Sequence, residues 1–211
     1  MILDDTLRSF ARSLAEAKPV PGGGSAAGYV GALGAALASM AIAYSLKRKG
    51  LEEEDREKLE EGAAHMERLR GTFMVLAEKD CEAYDTFAQV LKLPRKSGEE
   101  RAFRKEKMTE ALEHALAVPM EAASLCVEGL RLLASLAGKI SPRLITDAGA
   151  SAKCFSAAFH SCWYNIQVNA KDLKDAVRAL ELANRRVEME AEIDMFEARI
   201  VGRVEEVLES D

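Results

Sequence analysis

No charged residue occurs between Ala26 and Leu46, and the segment is built largely of Gly, Ala and Ser. A helix of small uncharged residues is stable in water only when it is surrounded, so this run has to sit against other elements. Gly24, Gly28, Ala32, Ala35, Ser39 and Ala43 recur at steps of three and four, which makes one face nearly flat and lets neighbouring backbones come close. The run is also long enough to cross a bilayer, at about 20 residues per span, and positive charge flanks it. Its alanines and glycines transfer poorly into lipid, so the expectation is a buried central helix and no membrane partner.

Ahead of this run stands Pro19-Val20-Pro21-Gly22-Gly23-Gly24-Ser25. Leu3, Leu7, Phe10 and Leu14 recur at helical steps before it and predict a helix ending near Lys18, so the glycine loop joins helix to helix. That context removes the dinucleotide fingerprint and the nucleophile elbow, both of which need a strand before the glycines, and no Gly-Lys-Ser/Thr follows to make a P-loop. Bare backbone N–H groups at a helix start, open to a polar or anionic ligand, are what remains.

Charged residues at 30%, hydrophobic residues at 48% and aromatics at only 6% favour helix over sheet and a single all-α domain over 1–211. A net charge of -6 argues against a nucleic-acid surface, which needs clustered excess Lys and Arg. Cys81, Cys126, Cys154 and Cys162 form no Cys-x-x-Cys pair and follow no secretory signal, so reduced thiols in a cytoplasmic protein are expected. His65, His114 and His160 fall on three different predicted helices without metal-ligand spacing, and no metal site is expected.

A long helix is predicted from about Glu52 to Leu93, its apolar stripe running through Leu59, Met66, Leu69, Phe73, Leu76, Ala77, Tyr84, Phe87 and Leu91. Asp80 falls on that stripe, since 73, 77, 80, 84 and 87 are the helical repeat itself. An acid at a core position needs a partner or a raised pKa, and it marks either a wet groove or a working group. After Pro94 the pattern predicts a helix from about Glu99 to Val118, a kink or restart at Pro119, and continuation to Ala137. A loop from Gly138 to Thr146, a helix from Asp147 to about Asn169 and a last helix from Asp172 to Leu208 complete the chain. Asp147 reads as an N-cap or as a ligand contact. Asn165 and Asn169, one turn apart, share a face, where core amides satisfy each other or meet a ligand. Lys47-Arg48-Lys49 is a solvated helix end or an anion contact.

With these elements in place the chain resembles the cyclodeaminase domain of formiminotransferase-cyclodeaminase and the free-standing methenyltetrahydrofolate cyclohydrolases. The resemblance rests on Pro19-x-Pro21-Gly22-Gly23-Gly24-Ser25 leading into Gly31-Ala32-Leu33-Gly34-Ala35-Ala36-Leu37-Ala38-x-Met40. Asp80-Cys81-Glu82-Ala83-Tyr84, Val118-Pro119, Thr146-Asp147 and Asn165-x-x-x-Asn169 follow in order. It implies an all-helical subunit of long antiparallel helices around the Gly/Ala-rich one, forming a homodimer with folate clefts partly at the subunit contact.

The same resemblance implies that Asp80 is the catalytic acid/base, with Pro21, Gly22, Gly23, Gly24, Ser25, Tyr84, Asp147, Asn165 and Asn169 around the substrate. Tetrahydrofolate is then the substrate carrier, without a metal. The reaction implied is conversion of 5-formiminotetrahydrofolate to 5,10-methenyltetrahydrofolate with release of ammonia. The alternatives are hydrolysis of the methenyl form to 10-formyltetrahydrofolate and a non-catalytic folate-binding or partner dimer. The loop Gly138 to Thr146 departs from the family's Gly-Asn-x-Asn-x-x-Ser-Asp pattern, losing both asparagines and gaining Lys139 and Arg143, and is expected either to alter substrate choice or to cost the activity if it closes on the folate.

Overall fold

The structure, a computed structural model, describes residues 6–210. Six helices follow in order: α1 (Leu7–Leu14), α2 (Gly23–Ser45), α3 (Glu53–Leu91), α4 (Gly98–Leu136), α5 (Ile145–Leu173) and α6 (Ala176–Leu208), with a 3₁₀ turn at Pro142–Leu144 leading into α5. No strand occurs among the described residues, as the composition predicts. Leu3, the expected first member of the α1 stripe, lies outside the described residues.

The helix ends have local causes. Thr6 caps α1 by accepting the Ser9 N–H at 3.1 Å. Glu53, Glu54 and Asp55 occupy the first turn of α3, where the helix dipole favours negative charge. Ser97 and Glu100 form a reciprocal capping box at the start of α4. Asp175 caps α6, accepting from the Arg178 N–H at 3.0 Å, so that helix begins at Ala176 and not at Asp172. At the other joint α5 begins at Ile145, which puts Asp147 in the first turn and rules it out as the cap.

Pro119 neither breaks nor restarts α4, which is helical throughout Gly98–Leu136. A proline leaves the carbonyl four residues earlier without its helical donor, and here that carbonyl belongs to Ala115. The side chain of Asn169 on α5 supplies the missing donor, with Nδ2 to the Ala115 oxygen at 2.8 Å. The break in the ladder is filled from the neighbouring helix.

Cross-helix pairs fix the directions. Gly24 faces Asp80, Gly28 faces Ala77 and Gly31 faces Phe73, so α3 runs antiparallel to α2. Gly23 lies beside Asn165 and Gly34 beside Cys154, so α5 is also antiparallel to α2. Gly129 against Phe155 and Ala115 against Asn169 make α4 and α5 antiparallel, and Lys153 with Glu197 and His160 with Glu190 do the same for α5 and α6. The small residues of α2 thus serve two faces, one under α3 and one under α5, where the sequence suggested a single flat row. Ala35, Ala38, Ala41 and Ile42 are fully buried between them, whereas Ala43 is exposed. By length and composition α2 remains a helix that reaches across a membrane, and half of its apolar window is buried inside this bundle.

Candidate functional site

Asp80 sits where the apolar stripe of α3 leaves the core. Leu59, Met66, Phe73, Leu76 and Ala77 are buried, but one turn past Asp80 the Tyr84 side chain is 40% exposed and Leu91 is 49% exposed. Past Asp80 the stripe residues Tyr84 and Phe87 line a cavity instead of a core. This cavity, of about 290 Å³, is walled by Gly22, Gly23 and Gly24 at the head of α2, by Asp80, Tyr84 and Phe87 on α3, by Ala115 on α4 and by Asn165, Asn169 and Asp172 on α5.

The N-terminus of α2 holds the carboxylate. Ser25 donates twice to Asp80 Oδ2, from its backbone N–H at 2.9 Å and its hydroxyl at 3.0 Å. The same hydroxyl lies 3.1 Å from Cys81 Sγ. Any side chain at Gly24 would collide with the Asp80 carboxylate, so glycine is required for this close approach. Oδ2 is thereby occupied, and Oδ1 carries no hydrogen bond among the described residues. Burial pushes the Asp80 carboxyl above its ordinary value of 3.8, against the two Ser25 hydrogen bonds that pull it down. Burial also raises the Cys81 thiol, which leaves it a poor nucleophile at neutral pH.

The two asparagines are oriented by their own donors. Asn165 Nδ2 bonds the Ser161 carbonyl at 2.9 Å and Asn169 Nδ2 bonds the Ala115 carbonyl, so each amide is left with its Oδ1 as an acceptor at the cavity. At the opposite wall the N–H groups of Gly23 and Gly24 have no intramolecular partner among the described residues, since only Ala26 closes back onto the Gly22 carbonyl. The cavity therefore offers carbonyl acceptors, one carboxyl with a raised pKa and two free backbone donors. It suits a small ligand rich in N–H groups, and its carboxyl can take a proton from one nitrogen and return it to another.

Of the sequence-predicted site residues, Gly22, Gly23, Gly24, Asp80, Tyr84, Asn165 and Asn169 line this one cavity. Ser25 is fully buried behind Asp80 and holds it without reaching the cavity. The loop turns Pro19 and Val20 to the cavity, and Pro21 does not line it. Asp147 stands about 27 Å from Asn165 along the axis of α5, at the far end of the subunit, and is not brought together with the cavity residues. The loop before it is pinned there: Lys139 pairs with Asp55, and the Ser141 N–H donates to Ser45 Oγ at 2.8 Å. Within one subunit that loop does not close on the Asp80 cavity. Lys47-Arg48-Lys49 lies at the same far end, beyond the roughly 33 Å length of α2. Ala115 and Asp172 lie on the wall without having been singled out in the sequence; Pro119, four residues past Ala115, was the available signal for the first. Among the described residues no group of three His, Cys, Asp or Glu side chains is placed to hold a metal ion.

Fold and site together define an all-α subunit with a desolvated carboxyl held at the head of its central helix. The chain belongs to the formiminotransferase-cyclodeaminase family, whose profile matches residues 6–188. Methenyltetrahydrofolate cyclohydrolase of Methylorubrum extorquens is 34% identical, over 95% of this chain and 96% of its own length. Formimidoyltransferase-cyclodeaminase of Mus musculus is 29% identical over 97% of this chain, which spans 38% of that longer protein. The crystal structure of formiminotetrahydrofolate cyclodeaminase from Thermotoga maritima superposes with a TM-score of 0.87 at 28% identity, covering 99% of this chain and 100% of that one.

Proposed function

We propose that this chain is a folate one-carbon enzyme that converts 5-formiminotetrahydrofolate to 5,10-methenyltetrahydrofolate and releases ammonia, acting as a cytoplasmic homodimer. The observation that carries the reading is Asp80, a desolvated carboxyl tied on one oxygen by Ser25 and open on the other to a cavity of acceptors. N10 attacks the formimino carbon, a C–N bond forms, and the tetrahedral carbon holds both nitrogens. N10 must then lose a proton and the leaving NH2 must gain one. With the formimino group entering as its cation, the proton taken from N10 by Asp80 is returned to the departing NH2. The bond from carbon to that nitrogen breaks, ammonia leaves and the positive charge stays on the methenyl product, so one group serves both transfers. Asn165 and Asn169 accept from the pterin N–H groups, while Gly23 and Gly24 offer backbone donors to its carbonyl.

Hydrolysis of the methenyl cation is a second reading, and it is favoured by the 34% identical relative that spans the whole chain and is named as a cyclohydrolase. There water attacks the same carbon, Asp80 takes its proton, and the ring opens to the 10-formyl product. Absorbance of methenyltetrahydrofolate separates the two: its appearance from the formimino substrate supports the deaminase, and its enzyme-dependent loss alone supports the hydrolase. If neither occurs while tetrahydrofolate still binds, the chain is a non-catalytic folate-binding subunit.

Ser25→Ala removes the hydroxyl from Asp80 and leaves the backbone N–H. The expected result is a drop in kcat of about tenfold with KM nearly unchanged, read by initial rates, because a positioning bond to a charged oxygen is lost and no substrate contact is touched.

A further inference from the structure

Of the five prolines, Pro119 alone lies inside an α-helix. It is buried and does not line the Asp80 cavity, whereas Ala115, about 6 Å back along α4, does. The two site asparagines differ in what holds them. Asn165 Nδ2 bonds the Ser161 carbonyl of its own helix at 2.9 Å, an acceptor that any α-helix offers one turn back. Asn169 Nδ2 crosses instead to the Ala115 carbonyl of α4 at 2.8 Å, an acceptor left open because residue 119 has no N–H to fill it. The orientation of Asn169 is thus decided on another helix, by a residue outside the cavity.

An amide side chain is a donor at one end and an acceptor at the other, so which end faces a ligand decides what that wall recognises. The Ala115 carbonyl only accepts; it holds Nδ2 and turns Oδ1 toward the cavity. With an N–H at residue 119 the helix ladder would take that carbonyl, and nothing on α4 would then tell one end of the Asn169 amide from the other. Both ends would face the ligand in turn, and the wall would lose its preference for a ligand N–H. Resting on the folate reading above, we propose that Pro119 is a positioning residue for substrate binding. By withholding one backbone donor from α4 it fixes Asn169 as an acceptor, and so sets the affinity of the cavity for the N–H edge of a reduced pterin without touching it.

A double-mutant cycle of Pro119→Ala and Asn169→Ala in the full chain tests this, read by calorimetric titration with tetrahydrofolate, by initial rates and by Tm. Pro119→Ala is expected to weaken binding about fivefold, as loss of one oriented hydrogen bond does. The loss should appear in KM, with kcat close to that of the wild type, because the bond is made equally before and during the reaction. Asn169→Ala alone should weaken binding by a similar factor and lower Tm, since it strips the Ala115 carbonyl of its donor. The two losses should not multiply: the double variant is expected to bind as Asn169→Ala does. In the Pro119→Ala background the Tm cost of Asn169→Ala should vanish, because the helix ladder then supplies the donor. This second comparison holds even if truncating the buried ring lowers Tm by itself. Unchanged affinity in Pro119→Ala, losses that multiply in the double variant, or an equal Tm cost of Asn169→Ala in both backgrounds would overturn the positioning role and leave the folate reading intact. A wild type that does not bind tetrahydrofolate overturns both.

Discussion

Asp80→Asn is expected to abolish turnover without unfolding the protein. The amide keeps an oxygen for the two Ser25 donors and fits the space beside Gly24, but it cannot carry the proton from N10 to the leaving nitrogen. Loss of a positioned acid/base costs about 10² to 10⁴ in rate, so kcat should fall by that factor while tetrahydrofolate still binds. Stability should move the other way. Burial raises the folded-state pKa of Asp80 above 3.8, so between that value and the raised one the native state binds more protons than the unfolded chain. Stability therefore falls as pH rises through that window, and the cost of burying the charge is fully present at neutral pH. Removing the charge should leave Tm at pH 7 equal to or above that of the wild type, with the difference vanishing below pH 3.8. A variant that loses activity only because it has lost its fold would show a lower Tm.

Phe155→Ala should have the largest effect on stability. Phe155 is fully buried on α5, its ring set into Gly129 of α4, 6.1 Å between ring centroids from Phe73 of α3, and in contact with Gly34 of α2. Four helices thus meet on one side chain, and a Cβ on Gly129 would come within 2.7 Å of the ring. Truncation leaves a cavity that glycines cannot fill, because they have no side chain to rotate into it. A loss of about 3 to 5 kcal/mol is expected, or roughly 10 °C in Tm for a domain of this size. Chemical denaturation with an unchanged m-value checks it; a loss under about 1 kcal/mol would mean that the bundle collapses around the gap.

Asp80 was legible in the sequence because a carboxylate on a helical core repeat is costly, and the structure shows the stripe opening into a cavity at that point. Asn165 and Asn169 were legible as a shared face, but not the reason for it. That reason is the carbonyl freed by Pro119, on a helix remote in sequence, which turns the Asn169 amide. Asp147 stands apart from this cavity for a geometric reason. It is five whole turns from Asn165, so the periodicity places both on one side of α5 while saying nothing of the length between them. Helical periodicity reports faces, and a site at the end of a bundle is decided by ends.

The pH dependence of kcat/KM, measured for the wild type and Ser25→Ala together, bears most directly on Asp80 as the proton carrier. Its burial predicts an acid limb above pH 3.8 in the wild type, and loss of the Ser25 hydroxyl predicts a further shift of that limb to higher pH. An acid limb at the same pH in both proteins would contradict the assignment.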